Sequence, residues 1–572
     1  MYGRNRPGLI VWLLLVVLFL VASISAQSYP GKSNPSLANS ISLSSPTQAG
    51  TALPELIRAG RLKDLRWPDF SDYRGEIAAL YRNSNFHPIW IRAGRPTPQA
   101  RQMIAILQQA NNDGLRAEDY DAARWTERLA RLNSRHAPSD ETRFDLALTV
   151  CAMRYVSGLR TGRINPQHFH FALNPKEVDL SRFIETQLAG GKNLPVAIAS
   201  LAPPLPGYGR LRNALVNYIK LAKEDDGEKL PVPTSRLVSG TPYAGVPRLA
   251  RLLRRLGDLP PSAEVPADPP IYDAPLVEAV KQFQKRHGLP SDGILDQATI
   301  DQLNVPLSDR VEQIRLALER YRWLRYDFSQ APIIINIPAF RLYALNGQGK
   351  TGLEMTVDVG QEYSSTRTPV LESNIEYLVF RPYWDVPFDI QRDEIVPEAE
   401  QYSDYLSGFE FEVISPDGRA ISNENVTPKI LAQIRSGHLR VRQKPGPANA
   451  LGLVKFVFPN RYSVYLHDTP SWTNYFADPN RNISHGCIHV KEPAELAAWV
   501  LRDKPEWTLE KVLHAMKEGP DNFRVNLTKP VPVLIVYLTA VAREDGDIYF
   551  YPDIYGYDAE LRQALAKGYP YP

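Results

Sequence analysis

The sequence predicts an α+β multidomain protein with a helical N-terminal half, a small three-helix module and a mostly β C-terminal domain. Three observations lead to this prediction. The chain has 572 residues, far more than a single core of roughly 100 to 200 residues requires. Apolar residues recur at helical spacing up to about residue 304, and short β-branched or aromatic runs replace them after residue 330. The 49 prolines favour many loops and linkers over long helical arrays.

The overall composition is that of a folded protein without a dominant charge. Hydrophobic residues make up 44% of the chain and charged residues 23%, which argues against wholesale disorder. The net charge of only +3 excludes electrostatic capture of nucleic acid as the global design. The two cysteines, Cys151 and Cys487, are too few for a disulfide framework.

The N-terminus has the three-part form of a secretory signal. Arg4 and Arg6 precede an apolar run from Leu9 to Ala22, and small residues follow up to Ala26. Residues 1–26 are therefore expected to be a signal peptide or an uncleaved signal anchor that contacts the inner membrane. The remainder would lie in the periplasm or cell envelope. Residues 27–52 are serine-rich and almost uncharged, which predicts a flexible tether.

Residues 54–240 show helical patterns and are predicted to form a scaffold. A helix over Gln99–Ala110 is followed by a stop signal that ends in Gly114. A second helix over Glu141–Val156 carries four residues on one face, namely Phe144, Leu148, Cys151 and Tyr155. Cys151 is therefore expected to be a buried core residue without a catalytic role.

Residues 265–305 are predicted to form the small three-helix module. A proline-rich linker over residues 259–270 precedes it. Val277, Val280 and Phe283 mark a helix that stops at Gly288, and a second helix runs from Asp296 to Leu303 after an Asp-Gly turn.

Residues 330–520 are predicted to form the β domain. Its strand-like runs are Ile333–Ile337, Phe340–Leu345, Glu354–Val359, Ile375–Phe380 and Tyr462–Leu466. A charged insertion at about 389–445 is predicted to be helical, for example over Thr427–Ser436, and an insertion of this size indicates a cap over a site. Residues 521–572 begin with an apolar strand, Val531–Leu538, and are expected to pack on the scaffold or the β domain.

Three of the ten histidines and one of the two cysteines fall within 23 residues, from His467 to His489. This cluster suits nucleophilic catalysis, because a thiol such as Cys487 needs a nearby imidazole to take its proton. His467 at the end of a strand is the predicted base, with Asp468 to orient its ring through a carbonyl or carboxylate. The N–H groups of Gly486 and Cys487 are predicted to cradle a developing oxyanion.

Two other interpretations of the cluster stay open at this point. His485, Cys487 and His489 alternate, so on a strand they would share a face and, with His467, could offer four ligands to zinc. Their spacing is a poor match to known structural zinc sites. A lone histidine would by default be a structural residue, an interpretation that weakens for a cluster beside a thiol.

The motif His467-Asp468, followed after fifteen residues by Ser484-His485-Gly486-Cys487, resembles the signature of the YkuD-like L,D-transpeptidase catalytic domain. Further segments resemble the large periplasmic YcbB-type branch of that family, namely Val359-Gly360, Thr366–Pro369, Pro382–Pro387, Gly452–Phe456 and His467–Pro470. The module resembles a peptidoglycan-binding domain. One position departs from the family pattern, because His489 stands where the family usually has Arg or Asn.

The resemblance implies a specific reaction. Cys487 would attack the diaminopimelate carbonyl of a tetrapeptide stem, release the terminal D-alanine and pass the thioester to the amine of a second stem, forming a 3→3 cross-link. Both donor and acceptor stems would be substrates, carbapenems would acylate the same thiol, and no metal or organic cofactor would be needed. Cell-wall biogenesis and cell shape would be the processes served.

The resemblance also assigns roles to individual residues. Cys487 would be the nucleophile, His467 the base, and Gly486 with Cys487 the oxyanion donors, while Ser484, His485 and Asp468 would give support. The walls of the substrate cleft are expected to include Tyr383, Trp384 and His489.

Four alternative functions remain at the level of sequence. The same residues could hydrolyse the thioester, as in an L,D-carboxypeptidase, or transfer the stem to a lipoprotein lysine. A non-catalytic wall-binding protein with a decayed site is disfavoured by the intact Cys/His pair. A metal-dependent peptidase is the remaining possibility.

Overall fold

The computed structural model describes residues 49–572, except 135–136, 176, 266–267, 325–329, 422–425, 471–475, 477–479 and 572. The predicted signal segment, residues 1–26, lies outside the described residues, and so does most of the predicted tether. The end of that tether, residues 49–52, already belongs to a helix. Within the described ranges, none of the helices has the length and apolar character needed to cross a membrane.

In the part of the chain that the structure describes, the scaffold contains eight α-helices and one short hairpin. The helices are α1 (Ala49–Ala59), α2 (Arg74–Asn83), α3 (Pro98–Gln108), α4 (Trp125–Asn133), α5 (Pro138–Arg160), α6 (Leu180–Phe183), α7 (Leu194–Ala199) and α8 (Pro206–Lys223). The hairpin pairs β1 (Ile91–Arg92) with β2 (Arg95–Pro96). The long helix α5 passes through the middle of the scaffold core, and the predicted face with Cys151 is buried, as expected. Burial raises the pKa of the Cys151 thiol, which makes it a poor nucleophile.

The three-helix module contains α9 (Val246–Leu256), α10 (Ala274–Arg286) and α11 (Gln297–Leu303), with a short pair formed by β3 (Thr241–Pro242) and β4 (Ile271–Tyr272). It has its own hydrophobic core, which starts at Leu230 and includes Leu259. The proline-rich segment 259–270 is therefore a connection inside the module, between α9 and α10. The module begins well before the predicted residue 265, because α9 supplies one side of its core.

Helix α12 (Leu307–Arg322) follows the module and packs against α8 of the scaffold. It also joins a core shared with the β domain, so scaffold and β domain are continuous in packing. Glu319 on α12 is fully buried and accepts hydrogen bonds from the Arg163 side chain at 3.2 Å and from the Ile164 amide at 3.1 Å. Arg322 donates to the same carboxylate at 3.3 Å, which satisfies the buried charge.

The β domain opens with four strands. They are β5 (Ile333–Asn336), β6 (Arg341–Leu345), β7 (Thr351–Gly360) and β8 (Leu371–Phe380). Alternating buried and partly exposed residues along β6 match the period of a strand with one face in the core. These strands lie within a few residues of the predicted runs.

The insertion between β8 and the later strands is a small mixed α/β unit. Its elements are β9 (Trp384–Asp385), α13 (Phe388–Ile390), α14 (Val396–Gln401), α15 (Tyr405–Gly408), β10 (Phe411–Ile414), β11 (Ala420–Ile421), α16 (Pro428–Arg435) and β12 (Arg440–Gln443). The prediction of a helical insertion is thus incomplete, because four antiparallel strands in the order β11-β10-β12-β9 form its sheet. Thr427 caps α16 by accepting a hydrogen bond from the Ile430 amide.

The second part of the β domain adds the strands β13 (Val454–Val457), β14 (Leu466–His467), β15 (Asn482–Ser484), β16 (Ile488–Val490) and β17 (Phe523–Val536) and the helices α17 (Pro493–Val500) and α18 (Leu509–Lys517). The strand β14 is shorter than the predicted run from Tyr462. The C-terminal segment then forms the hairpin β18 (Ala540–Ala542) and β19 (Ile548–Phe550) and helix α19 (Tyr557–Ala566).

The nine strands of the β domain pair in the order β15-β7-β16-β14-β13-β8-β17-β5-β6, and β6 also pairs with β7. The additional pairing closes eight strands into a ring and leaves β15 on the outside. The strand β17 lies between β8 and β5, so the sheet extends beyond the predicted domain end at residue 520. Strands β14 and β16 are adjacent and parallel, which brings the two ends of the histidine-cysteine cluster together.

Candidate active site

The cluster is assembled by the pairing of β14 with β16. His467 lies opposite His489 in the register, and Leu466 lies opposite Ile488. The amide of Ile488 donates to the Tyr465 carbonyl at 3.0 Å, which sets Cys487 beside Tyr465 at the edge of the paired strands. The thiol and the predicted base therefore sit on neighbouring strands, close to the point where the turn enters β16.

The turn before Cys487 is held by Ser484. Its hydroxyl donates to the Cys487 carbonyl at 2.6 Å and accepts from the Gly486 amide at 3.1 Å. The Gly486 amide is thus engaged by Ser484 in this structure, and its predicted role as an oxyanion donor stays a prediction. Gly486 is required for a different reason, because its φ of +114° is a backbone conformation that side chains with a Cβ rarely adopt.

The imidazole of His467 is buried and its orientation is fixed. Its Nδ1 lies 2.6 Å from the Asp468 carbonyl oxygen, and since a carbonyl can only accept, Nδ1 carries the proton. The Asp468 carboxylate instead accepts from the Leu453 and Thr469 amides. The predicted orienting role of Asp468 thus falls to its carbonyl, and Nε2 of His467 is left as an acceptor.

Burial governs the protonation of both reacting groups. It lowers the pKa of His467 to about 3, with a further contribution from the charge of His489. Burial also raises the pKa of the Cys487 thiol, although Lys455 and a hydrogen bond from the Tyr465 backbone act in the opposite direction. The thiol makes a long contact of 3.9 Å with the Ser463 carbonyl oxygen. At neutral pH both groups are therefore uncharged, and the thiol is held only weakly.

His489, the position that departs from the family pattern, faces a buried acid. Its Nδ1 lies 3.7 Å from the carboxylate of Asp358, which is fully buried on β7. The ring of His489 also contacts that of His467 at a centroid distance of 4.9 Å in an edge arrangement. His489 therefore lies between the predicted base and a carboxylate.

His485 points toward the insertion. Its Nε2 lies 2.6 Å from the carboxylate of Glu394, and this hydrogen bond raises the pKa of His485. The contact joins the Ser-His-Gly-Cys turn directly to the capping unit. Of the described residues, no three or more His, Cys, Asp or Glu side chains are grouped to hold a metal ion, so the four ligands of the zinc alternative do not converge.

The two aromatic residues predicted to line the cleft belong to the insertion. Trp384 lies on β9, pairs with Gln443 and packs near Phe411 in the insertion's core. The ring of Tyr383 lies under the Arg442 guanidinium at 4.1 Å. Their role as cleft walls stays a prediction.

Several residues that support the site were not singled out from the sequence. Thr368 donates through Oγ1 to the Gly486 carbonyl at 2.9 Å and accepts from the Gly360 amide at 2.8 Å. The Tyr555 hydroxyl, from the C-terminal segment, donates to the Gly360 carbonyl at 2.5 Å. Gly360 itself admits no Cβ, because one would lie 1.9 Å from the Thr366 carbonyl oxygen. In the sequence, the segments Val359-Gly360 and Thr366–Pro369 were the signal that could have indicated the importance of this loop.

Three regions of the chain match known protein families. Residues 75–215 match a family described as "Scaffold domain", residues 243–303 one described as "Putative peptidoglycan binding domain", and residues 330–532 the YkuD family, described as "L,D-transpeptidase catalytic domain". A Haemophilus influenzae protein described as "Putative L,D-transpeptidase" is 30% identical over 267 residues, which are 46% of this chain and 52% of that protein. The chain thus spans about half the length of this curated relative.

Solved structures of two L,D-transpeptidases also align with the chain. The one from Xylanimonas cellulosilytica is 17% identical with a TM-score of 0.17 and covers 53% of this chain and 99% of its own. The one from Stackebrandtia nassauensis is 14% identical with a TM-score of 0.20 and covers 53% and 97%. Such low TM-scores add no argument about the fold. The family matches carry the conclusion that residues 330–532 form a YkuD-family L,D-transpeptidase catalytic domain, in a chain that also carries scaffold and peptidoglycan-binding domains.

Proposed function

We propose that the protein is a peptidoglycan L,D-transpeptidase that forms 3→3 cross-links through a thioester on Cys487. One observation carries the proposal. The imidazole of His467, on the strand beside the Cys487 turn, commits Nδ1 to the Asp468 carbonyl at 2.6 Å and leaves Nε2 as a proton acceptor. A thiol next to an oriented neutral imidazole is the arrangement that acyl transfer by a cysteine requires.

The first half of the reaction forms the thioester. As Sγ of Cys487 attacks the carbonyl carbon of diaminopimelate, its proton passes to Nε2 of His467. The same proton then goes to the nitrogen of the terminal D-alanine, the C–N bond breaks and D-alanine leaves. Both groups start neutral because burial disfavours their charged forms, so the proton moves as the S–C bond forms.

The second half transfers the acyl group. The side-chain amine of an acceptor stem attacks the thioester carbon, His467 takes a proton from this amine, and the S–C bond breaks to regenerate the thiol. The Cys487 amide, which has no hydrogen-bond acceptor among the described residues, is the oxyanion donor that remains once the Gly486 amide is assigned to Ser484. Water in place of the amine would give an L,D-carboxypeptidase with the same residues.

The accessory domains support action on the cell wall. A peptidoglycan-binding family match beside the catalytic domain favours a substrate within the peptidoglycan layer. The signal-like segment of residues 1–26 supports export to the periplasm. The donor and acceptor stems are the proposed partners, and carbapenems the proposed covalent inhibitors.

The proposal is tested by replacing each cysteine in turn. Mass spectrometry after incubation with a carbapenem should find one adduct on the wild type and on the Cys151→Ala variant, and none on Cys487→Ala. Cys151 is the matched control because it is buried in the scaffold core. An adduct on Cys487→Ala would refute the assignment of the nucleophile.

Analysis of the products formed from purified tetrapeptide-containing muropeptides distinguishes transfer of the acyl group to an amine from hydrolysis of the thioester. Cross-linked dimers that lack one D-alanine support transpeptidation. Tripeptides alone would show that the protein is a trimming enzyme instead.

A further inference from the structure

Lys455 lies on the active-site face of the sheet. In the register of β13 with β14 it is directly opposite His467, and His467 is in turn opposite His489 on β16. Directly opposed residues on neighbouring strands project from the same face of a sheet. Lys455, His467 and His489 therefore form a polar row across three adjacent strands, next to the turn that carries Cys487.

The ammonium group of Lys455 reaches toward the thiol. It lies 5.5 Å from the ring centroid of Tyr465, the residue beside Cys487 on the neighbouring strand. Burial lowers the pKa of the lysine, and an Asp385 carboxylate or a Cys487 thiolate would act in the opposite direction. Tyr465 is thus a neighbour of both Lys455, through its ring, and Cys487, through the strand pairing.

Among the described residues, no carboxylate approaches Lys455 within ion-pair distance. Two other arginines, one in the insertion and one after β8, do have carboxylate partners, since Arg442 lies 2.8 Å from Glu412 and Arg381 lies 2.8 Å from Asp521. A half-buried ammonium group loses hydration without gaining a partner, which is unfavourable unless a ligand supplies the anion. The row therefore offers a place for a negatively charged substrate group beside the nucleophile.

We propose that Lys455 binds the free carboxylate of the donor stem's terminal D-alanine, the residue that leaves. The proposal rests on the proposed transpeptidase function. In a tetrapeptide this carboxylate lies only three covalent bonds beyond the carbonyl carbon that Cys487 attacks. In a pentapeptide the same position is an amide and the charge lies a residue further away. Lys455 would thereby select tetrapeptide over pentapeptide donors.

The first experiment probes the charge at the thiol without any peptide. Wild-type protein is alkylated with iodoacetate or with neutral iodoacetamide, and the rates at Cys487 are followed by mass spectrometry. We expect Lys455→Met to lower the iodoacetate-to-iodoacetamide rate ratio about fivefold, as removal of a nearby charge predicts. Lys455→Arg should keep the ratio, and so should Lys491→Met, which removes a half-exposed lysine next to β16. An unchanged ratio in Lys455→Met would overturn the proposal.

The second experiment identifies the carboxylate. Three tetrapeptide donors are compared, with both diaminopimelate and D-alanine carboxylates free, with the D-alanine end amidated, or with the free diaminopimelate carboxylate amidated. The wild type should lose about tenfold or more in kcat/KM only when D-alanine is amidated. Lys455→Met should turn over the donor with both carboxylates free and the donor with amidated D-alanine equally. Lys455→Arg should retain part of the preference for a free D-alanine carboxylate. Loss of the preference for a free diaminopimelate carboxylate in Lys455→Met would assign the lysine to that group and refute the proposal.

The two experiments also separate this inference from the function on which it rests. If wild-type protein turns over no donor while the alkylation ratio still depends on Lys455, the transpeptidase proposal fails and the anion site stands. If donors are turned over with the same acid-to-amide preference in wild type and Lys455→Met, the function stands and the role of Lys455 is refuted.

Discussion

Several effects act on the pKa of His467. Burial is the largest and lowers it, His489, whose ring contacts that of His467, and Lys455 lower it further, and the hydrogen bond to the Asp468 carbonyl raises it. Asp358 lies on the far side of His489, and its buried carboxylate is 3.7 Å from Nδ1 of His489. Burial, His489 and Lys455 thus favour the neutral form of His467, as the proposed base requires before it takes a proton.

The substitution His489→Asn introduces a side chain that is usual in the family at this position. It should raise the pKa of His467. Removal of a neighbouring positive charge makes the imidazolium form of His467 less unfavourable, whereas burial still keeps the pKa below its ordinary value of about 6.5. A titration followed by NMR of histidines labelled with ¹³C at Cε1 measures the change. His514→Asn, an exposed histidine beside Glu518, is the control. An unchanged or lower pKa of His467 would contradict the expectation.

The proposed nucleophile and the proposed base could be predicted from the sequence, whereas their neighbours could not. Cys487 and His467 stand in a short motif with a definite spacing. Asp358 and Lys455 reach the site through strand register, which pairs Lys455 with His467 and pairs Asp358 with His489, a residue far away in the sequence. Strand register depends on the packing of the whole sheet. The alternation of apolar and polar residues along a strand does not determine which strand becomes its partner. The hydrogen bond from the Gly486 amide to Ser484, which competes with the predicted oxyanion role, could not be foreseen from the sequence either.

At the scale of elements, an ionisable contact between described residues joins the insertion to the turn that carries Cys487. Glu394, in the segment between α13 and α14, meets His485 at 2.6 Å, and both side chains are about half exposed. The pKa of His485 is raised by this partner, so the contact stabilises the joined state fully below the ordinary histidine pKa. That stabilisation is lost as the pH rises through the raised pKa of His485. Because both groups are exposed, it amounts to at most about 1 kcal/mol.

Glu394→Gln should therefore loosen the insertion at low pH and have little effect at high pH. Amide hydrogen exchange in residues 388–401 should be faster in the variant than in the wild type at about pH 6, and the difference should disappear as the pH rises through the raised pKa of His485 and its imidazole becomes neutral. Glu400→Gln breaks an equally exposed ion pair with Arg435 inside the insertion and is the matched control. A difference between wild type and Glu394→Gln that persists at high pH would show that the imidazolium charge is not involved.

At the scale of the whole molecule, the catalytic turn depends on the far end of the chain. The C-terminal segment was predicted to pack on the scaffold or the β domain. It contributes helix α19 to the core that α8 and α12 share with the strands. Its Tyr555 hydroxyl bonds the Gly360 carbonyl at 2.5 Å and accepts from the Thr368 amide at 3.2 Å. The sequence shows that this segment is rich in tyrosine. The hydrogen bonds of the Tyr555 hydroxyl to Gly360 and Thr368, however, depend on the packing of the whole fold and cannot be predicted from composition.

Tyr555→Phe should weaken the site more than the fold. The substitution keeps the ring, which stacks on Tyr537, and removes two hydrogen bonds from the loop whose Thr368 supports the Gly486 carbonyl. Each lost bond costs about 0.5–1.5 kcal/mol, so we expect a modest fall in the unfolding temperature and a larger fall in the rate of Cys487 acylation by a carbapenem. Tyr549→Phe, which removes a hydroxyl bonded to Asp545 in the C-terminal hairpin, is the control. Equal acylation rates in Tyr555→Phe and the wild type, with a lowered unfolding temperature, would limit Tyr555 to stability alone.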